Sequence, residues 1–172
     1  MATEEHKEQA EKKIQCAVIT VSDTRTEETD KSGRRIHELL ESHGHEVCFY
    51  SIVTDEQASI TNCLNEALIH PEAEAVLING GTGIADRDIT IETVEPRFDK
   101  AIVGFGELFR YLSYVEDIGS SAILSRAAAG IIDHKPVFTM PGSSGAVKLA
   151  MEKLIIPELP HVVWEATKQR DL

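Results

Sequence analysis

The sequence predicts a doubly wound α/β domain, a mostly parallel sheet with helices on both faces. Three observations carry this. Short apolar runs alternate with longer stretches of helical periodicity along most of the chain. The runs are rich in valine and isoleucine, as strands buried on both faces are. Two of them run directly into glycine-rich turns, the usual strand-to-helix junction of a phosphate-handling α/β fold. With 172 residues, 42% of them hydrophobic, the chain fits one domain with its own core.

Taken in order, residues 1–13 are polar and mixed in charge and form an N-terminal tail, ahead of a domain spanning residues 14–172. Gln15–Val21 reads as the first strand, followed by a loop dense in Ser, Thr, Asp and Glu. Residues 32–43 place Ile36, Leu39 and Leu40 on one helical face, and Gly44 suits the left-handed residue that ends a helix. Glu46–Val53 is a second strand. Thr54 or Asp55 can cap the next helix, which has Ile60, Leu64 and Leu68 on its buried stripe and Pro71 at its close. Ala75–Asn79 is a third strand. This βαβαβ alternation argues for parallel strands. Residues 90–97, 106–114 and 120–129 read as short helices, the last ending near Gly130. Lys135–Met140 is a further strand, and residues 145–168 form a long helix interrupted by Pro157 and Pro160.

Charge and cysteine content exclude several classes. A net charge of −12 disfavours nucleic acid and anionic membranes, since both need a basic face. No apolar run is long enough to span a bilayer, and no secretory signal precedes the domain, so a cytoplasmic protein is expected. Cys16, Cys48 and Cys63 form no metal-ligand spacing and read as inert thiols. An acidic protein can still hold a small phosphorylated ligand if backbone N–H groups supply the positive potential.

In an open α/β sheet, ligands bind beyond the carboxyl ends of the strands. Three loops fall there. The first, residues 20–25, offers Ser22 and Asp23. The second is Asn79-Gly80-Gly81-Thr82-Gly83, followed by Arg87 and Asp88. The third is Pro141-Gly142-Ser143-Ser144-Gly145. No lysine follows either glycine turn, which disfavours a P-loop, and the dinucleotide fingerprint is missing. Each turn alone equally suits a structural bend needing positive φ. The carboxylates carry the same ambiguity: Asp55 suits a helix cap, Asp88 a turn, Asp23 and Asp30 solvated surface, and Glu107 a helix start.

As an ordered set, Val21-Ser22-Asp23, Asp30-Lys31-Ser32-Gly33, Asp55-Glu56, Gly80-Gly81-Thr82-Gly83 with Arg87-Asp88, Gly104-Phe105-Gly106-Glu107, Ser125-Arg126 and Pro141-Gly142-Ser143 resemble the MogA/MoaB family of molybdenum cofactor biosynthesis proteins, the MoaB branch in particular. The resemblance covers residues 14–168. It implies binding of molybdopterin and its adenylylation by Mg-ATP with release of pyrophosphate. It implies activity-linked roles for Asp55 and Asp88, which could also hold Mg²⁺. The two glycine turns become a phosphate cradle, with Ser22, Glu107 and Ser125 in matching motifs. A homotrimer or homohexamer is implied as well. The alternative is a non-catalytic pterin-binding or scaffold protein of the same pathway.

Overall fold

A computed structural model describes residues 12–168; residues 1–11 of the expected tail lie outside the described residues. Six strands form one sheet: β1 (Gln15–Val21), β2 (Glu46–Val53), β3 (Ala75–Asn79), β4 (Lys100–Ala101), β5 (Ala128–Ile132) and β6 (Lys135–Met140). Their order is β2-β1-β3-β6-β5-β4. The first four are parallel, and β5 and β4 join antiparallel at the far edge.

Helices cover both faces. They are α1 (Lys31–Ser42), α2 (Gln57–Ile69), α3 (Thr90–Val94), α4 (Val103–Leu112), α5 (Ser144–Ala150) and α6 (Ile156–Thr167). On one face Ile36 and Leu40 of α1 and Phe105 and Phe109 of α4 pack with Cys16, Val18 and Leu77. On the other, Ile60, Leu64 and Leu68 of α2 pack with Ala17, Ile19 and Ile78. The alternation along β1 fixes its register, because a one-residue slip would exchange the two faces. Burying a side chain such as Ile19 contributes about 1.5–3 kcal/mol, so the exchange would disturb both cores.

Chain direction places the crevice. From β1 the chain passes through α1 to β2 on one side, then crosses through α2 to β3 on the other. The loops leaving β1 and β3 diverge over opposite faces and open a gap between them. Cys16 and Cys63 are buried and Cys48 half-buried, and burial raises all three thiols, as expected of inert cysteines.

Several expectations are corrected. Residues 120–129 are not a helix: Gly119–Leu124 is a 3₁₀ segment, and Ala128–Ile132 is β5. A two-residue turn, Asp133 (φ 49°) and His134 (φ 62°), folds β5 back onto β6 with the positive φ values that a tight hairpin needs. Gly130 cannot carry a side chain, because the Phe98 ring lies against its Cα. Neither Thr54 nor Asp55 caps α2; Glu56 occupies that position and makes no side-chain cap bond. Glu107 sits mid-helix in α4, which begins at Val103. Asp30 is not solvated but buried as the N-cap of α1. The long C-terminal helix runs from α5 through a π-helical segment, Met151–Ile155, into α6. Pro157 follows that widened turn, where its missing N–H is tolerated.

Candidate functional site

The loops after β1, β3 and β6 line one cleft of about 430 Å³. At its back the two glycine turns touch. The Gly80 N–H donates to the Met140 carbonyl at 3.0 Å, and a Cβ on Gly142 would stand 3.2 Å from the Gly80 Cα. Gly80 (φ 95°) and Gly81 (φ 63°) are both left-handed. A Cβ on Gly80 would run into the Val21 carbonyl, and one on Gly81 into Thr90 Oγ1 and Asp55 Oδ1. The turn needs glycine for conformation and for clearance.

The carbonyls of this turn are all engaged. Thr90 donates through Oγ1 to the Gly80 carbonyl at 2.9 Å and through its amide to the Gly81 carbonyl at 2.9 Å. Arg126 donates Nε to the Thr82 carbonyl at 2.9 Å and Nη2 to the Gly83 carbonyl at 2.6 Å. The described peptides are trans, and in a trans peptide the N–H points opposite its C=O. The amides of Gly81, Thr82, Gly83 and Ile84 therefore point away from Thr90 and Arg126, and they have no protein acceptor among the described residues. Neither Thr90 nor Arg126 lines the cleft, whereas Gly80 through Gly83 do. A row of unpaired amides is a concave donor site for an anion.

Carboxylates flank the row. Asp88 Oδ2 accepts from the Ala85 amide at 3.0 Å and lies against Gly83. Asp55 lies against Gly81 on the other side. Burial raises the pKa of the Asp55 carboxyl above its ordinary value, and the neighbouring charges of Asp23 and Asp88 push it further up. Asp23 holds Arg87 in a two-pronged ion pair, at 2.7 and 3.0 Å, which pulls its own pKa down; it also accepts the Asp55 amide at 3.0 Å. No cluster of three or more metal-ligating side chains exists among the described residues. Asp55 and Asp88 each offer hard carboxylate oxygens, the ligand type magnesium takes.

Of the residues expected at the site, Ser22, Asp55, Gly80–Gly83, Asp88, Pro141, Gly142 and Ser143 line the cleft. Ser22 Oγ accepts from the amides of Thr24 and Arg25, both at 3.2 Å, and so shapes its loop. Ser143 caps α5, accepting from Ala146 at 3.2 Å. Ser144 and Gly145 belong to α5 itself and are not among the lining residues, nor are Glu107, exposed on α4, and Ser125, which closes the 3₁₀ segment. Arg25 and Asn79 stood within the candidate loops and Ser32 and Arg126 within the family motifs, but sequence reasoning singled out none of the four; Arg25, Ser32 and Asn79 line the cleft and Arg126 lies behind it. The Ser125-Arg126 motif pointed to the neighbourhood but not to the guanidinium.

Beneath the cleft, Asp30 receives Thr20 Oγ1 and Tyr50 Oη at 2.6 Å each, and Ser32 Oγ and the Gly33 amide at 3.0 Å each. Burial raises its pKa, but these four donors outweigh burial and leave it below the ordinary value.

The fold and sequence match those of known proteins. A model described as "Probable molybdopterin binding domain" matches residues 17–161. The chain is 57% identical to "Molybdenum cofactor biosynthesis protein B" of Bacillus subtilis over 170 residues, 99% of this chain and 100% of that one. A crystal structure of a molybdenum cofactor biosynthesis protein B superposes with TM-score 0.90 at 57% identity, covering 92% of this chain and 98% of that one. The tungsten cofactor synthesizing protein MoaB from Pyrococcus furiosus superposes with TM-score 0.81 at 43% identity, over 90% and 98%. No described helix is long and apolar enough to cross a membrane. By the matched domain, the near-complete coverage of these relatives and a cleft built from the same glycine turns that suggested the resemblance, the chain belongs to the MogA/MoaB family of molybdenum cofactor biosynthesis proteins.

Proposed function

We propose that the chain adenylylates molybdopterin with Mg-ATP. The observation that carries this reading is the row of unpaired amides at Gly81–Ile84, flanked by Asp55 and Asp88. The terminal phosphate of the pterin attacks the α-phosphorus of ATP. A new P–O bond forms, and the bond from the α-phosphorus to the α,β-bridging oxygen breaks. That oxygen leaves with its electron pair as part of pyrophosphate. The attacking phosphate is already anionic near neutral pH, so little general-base help is needed. What the protein supplies is positioning and charge neutralisation. The amides hold one phosphate chain, and Asp55 and Asp88 would hold a magnesium ion, which would supply charge neutralisation for the nucleotide. A chain of net charge −12 would otherwise repel ATP. We further propose that the protein works as a closed homo-oligomer in the cytoplasm, with the apolar surface of residues 103–124 between subunits.

The test is to mix protein, molybdopterin and Mg-ATP and to look for adenylylated pterin and pyrophosphate. The proposal expects both products, with ATP binding that collapses in EDTA. Pterin binding without product would favour the carrier reading. Unchanged turnover in both Asp55→Ala and Asp88→Ala would refute the site assignment.

A further inference from the structure

We infer that Arg25 is a catalytic residue, the cationic contact to the phosphates where two bound ligands meet. The inference rests on the adenylylation reading for its chemistry, and on independent geometry for its place. A second recess of about 410 Å³ opens beside the main cleft, bordered by the exposed edge of β2 at Tyr50–Val53. The two share Ser22 and Arg25 as walls. Each lies in the size range of small-molecule sites, so Arg25 stands at the junction of two ligand-sized spaces. Among the described residues lining either space, Arg25 is the one lysine or arginine; the charged remainder are Asp23, Glu27, Asp55 and Asp88.

The guanidinium is largely unused by the fold. Among the described residues its one hydrogen bond is a long one, from Nη2 to the Gly142 carbonyl at 3.4 Å. It forms an ion pair with the buried Asp30 carboxylate at 3.7 Å, too long for a hydrogen bond. The hydrogen bonds of Asp30 come from elsewhere, with Thr20, Ser32, Gly33 and Tyr50 all donating to that carboxylate. An arginine has five N–H donors in a planar fork suited to phosphate oxygens. Here most of them are available, on a side chain about one-third exposed. The loop that carries it is held by Ser22 Oγ on the Arg25 amide, so the backbone stays in place while the guanidinium is free to engage a ligand.

During transfer, negative charge shifts from the attacking phosphate across the α-phosphoryl oxygens to the leaving pyrophosphate. A guanidinium at the junction donates to the α-phosphoryl oxygens as that charge moves, which is the kind of contact that raises kcat more than it lowers KM. No proton is transferred by Arg25.

The experiment compares the full-length wild type with Arg25→Gln and Arg25→Lys. Three quantities are read: kcat and KM for Mg-ATP with molybdopterin, the Kd for inorganic pyrophosphate by calorimetry, and the Tm. The expected result for Arg25→Gln is a loss in kcat of about 10²–10³-fold, with a smaller change in KM. Pyrophosphate should bind at least about tenfold more weakly, as for a lost charge-assisted phosphate contact, at an unchanged Tm. Arg25→Lys should recover part of the binding and little of the turnover. Turnover and pyrophosphate affinity both within about threefold of wild type would overturn the assignment. If the wild type makes no adenylylated pterin, the adenylylation reading fails, and Arg25 is judged on pyrophosphate: a tenfold weakening upholds the phosphate contact and an unchanged Kd refutes it. If Arg25→Gln does not fold, Arg25→Lys decides by the same two measurements.

Discussion

Asp55 carries the sharpest conflict between stability and function. Its carboxyl is partly buried and faces the charges of Asp23 and Asp88, so its pKa is higher folded than the ordinary 3.8. The folded state then binds the extra proton. This residue's contribution to stability is present at low pH, falls as pH rises from 3.8 through the raised value, and stays lost above it. Asp55→Asn is therefore expected to raise Tm at pH 7 by about 1–3 °C, with the gain vanishing below the ordinary carboxylate pKa. The same variant should lose ATP binding in the presence of magnesium. Thermal scans from pH 3 to 8 check this; a lower Tm at pH 7 would contradict the electrostatic account. Asp55 was legible as a candidate but not as a strained one, because its neighbours are 32 residues upstream and 33 downstream.

At the scale of elements, the turn after β3 depends on a strand far along the chain. Arg126, just before β5, donates to the carbonyls of Thr82, Gly83 and Asp88 while pairing with Glu92. It acts through the turn rather than on a ligand, by fixing which way the peptide planes face. Arg126→Ala should cost about 1–3 kcal/mol and weaken pyrophosphate binding. Arg126→Lys, which cannot fork between two carbonyls, should restore stability better than affinity. Denaturant unfolding beside calorimetry separates the two effects. The periodicity of residues 120–129 gave no sign of this arrangement. An Ala- and Gly-rich strand has weak β propensity, and its hairpin turn, Asp133-His134, lacks the Asn-Gly or Asp-Gly signature. β5 exists because β6 pairs with it and because Gly130 leaves room for Phe98.

At the scale of the whole molecule, several exposed apolar side chains of the described residues fall on one segment. Leu108, Tyr111, Tyr114 and Val115 are each at least half exposed on α4 and the π-helical segment Ser113–Asp117, and Ile123 is 83% exposed nearby. Scattered exposed apolar residues are ordinary, but a set of them on one segment is where the proposed oligomer interface would lie. A closed oligomer would repeat it by symmetry. Tyr111→Glu should shift the assembly to smaller species in light scattering at micromolar protein. An unchanged mass would overturn the placement of a subunit interface on this segment.

The sequence by itself determined the four parallel strands, the helices that wind them and the two glycine turns at their carboxyl ends, because periodicity and glycine placement are local signals. It also marked Ser22, Asp55 and Asp88 as candidates. Only the tertiary structure decided which carbonyls of the first turn are occupied, that Asp30 is a buried cap and that Arg25 stands between two recesses. It also set Glu107 and Ser125 outside the cleft's lining. The physical reason is reach: an amide's direction is set by what holds its neighbouring carbonyl, and here one of the two holders, Arg126, stands 44 residues beyond Thr82.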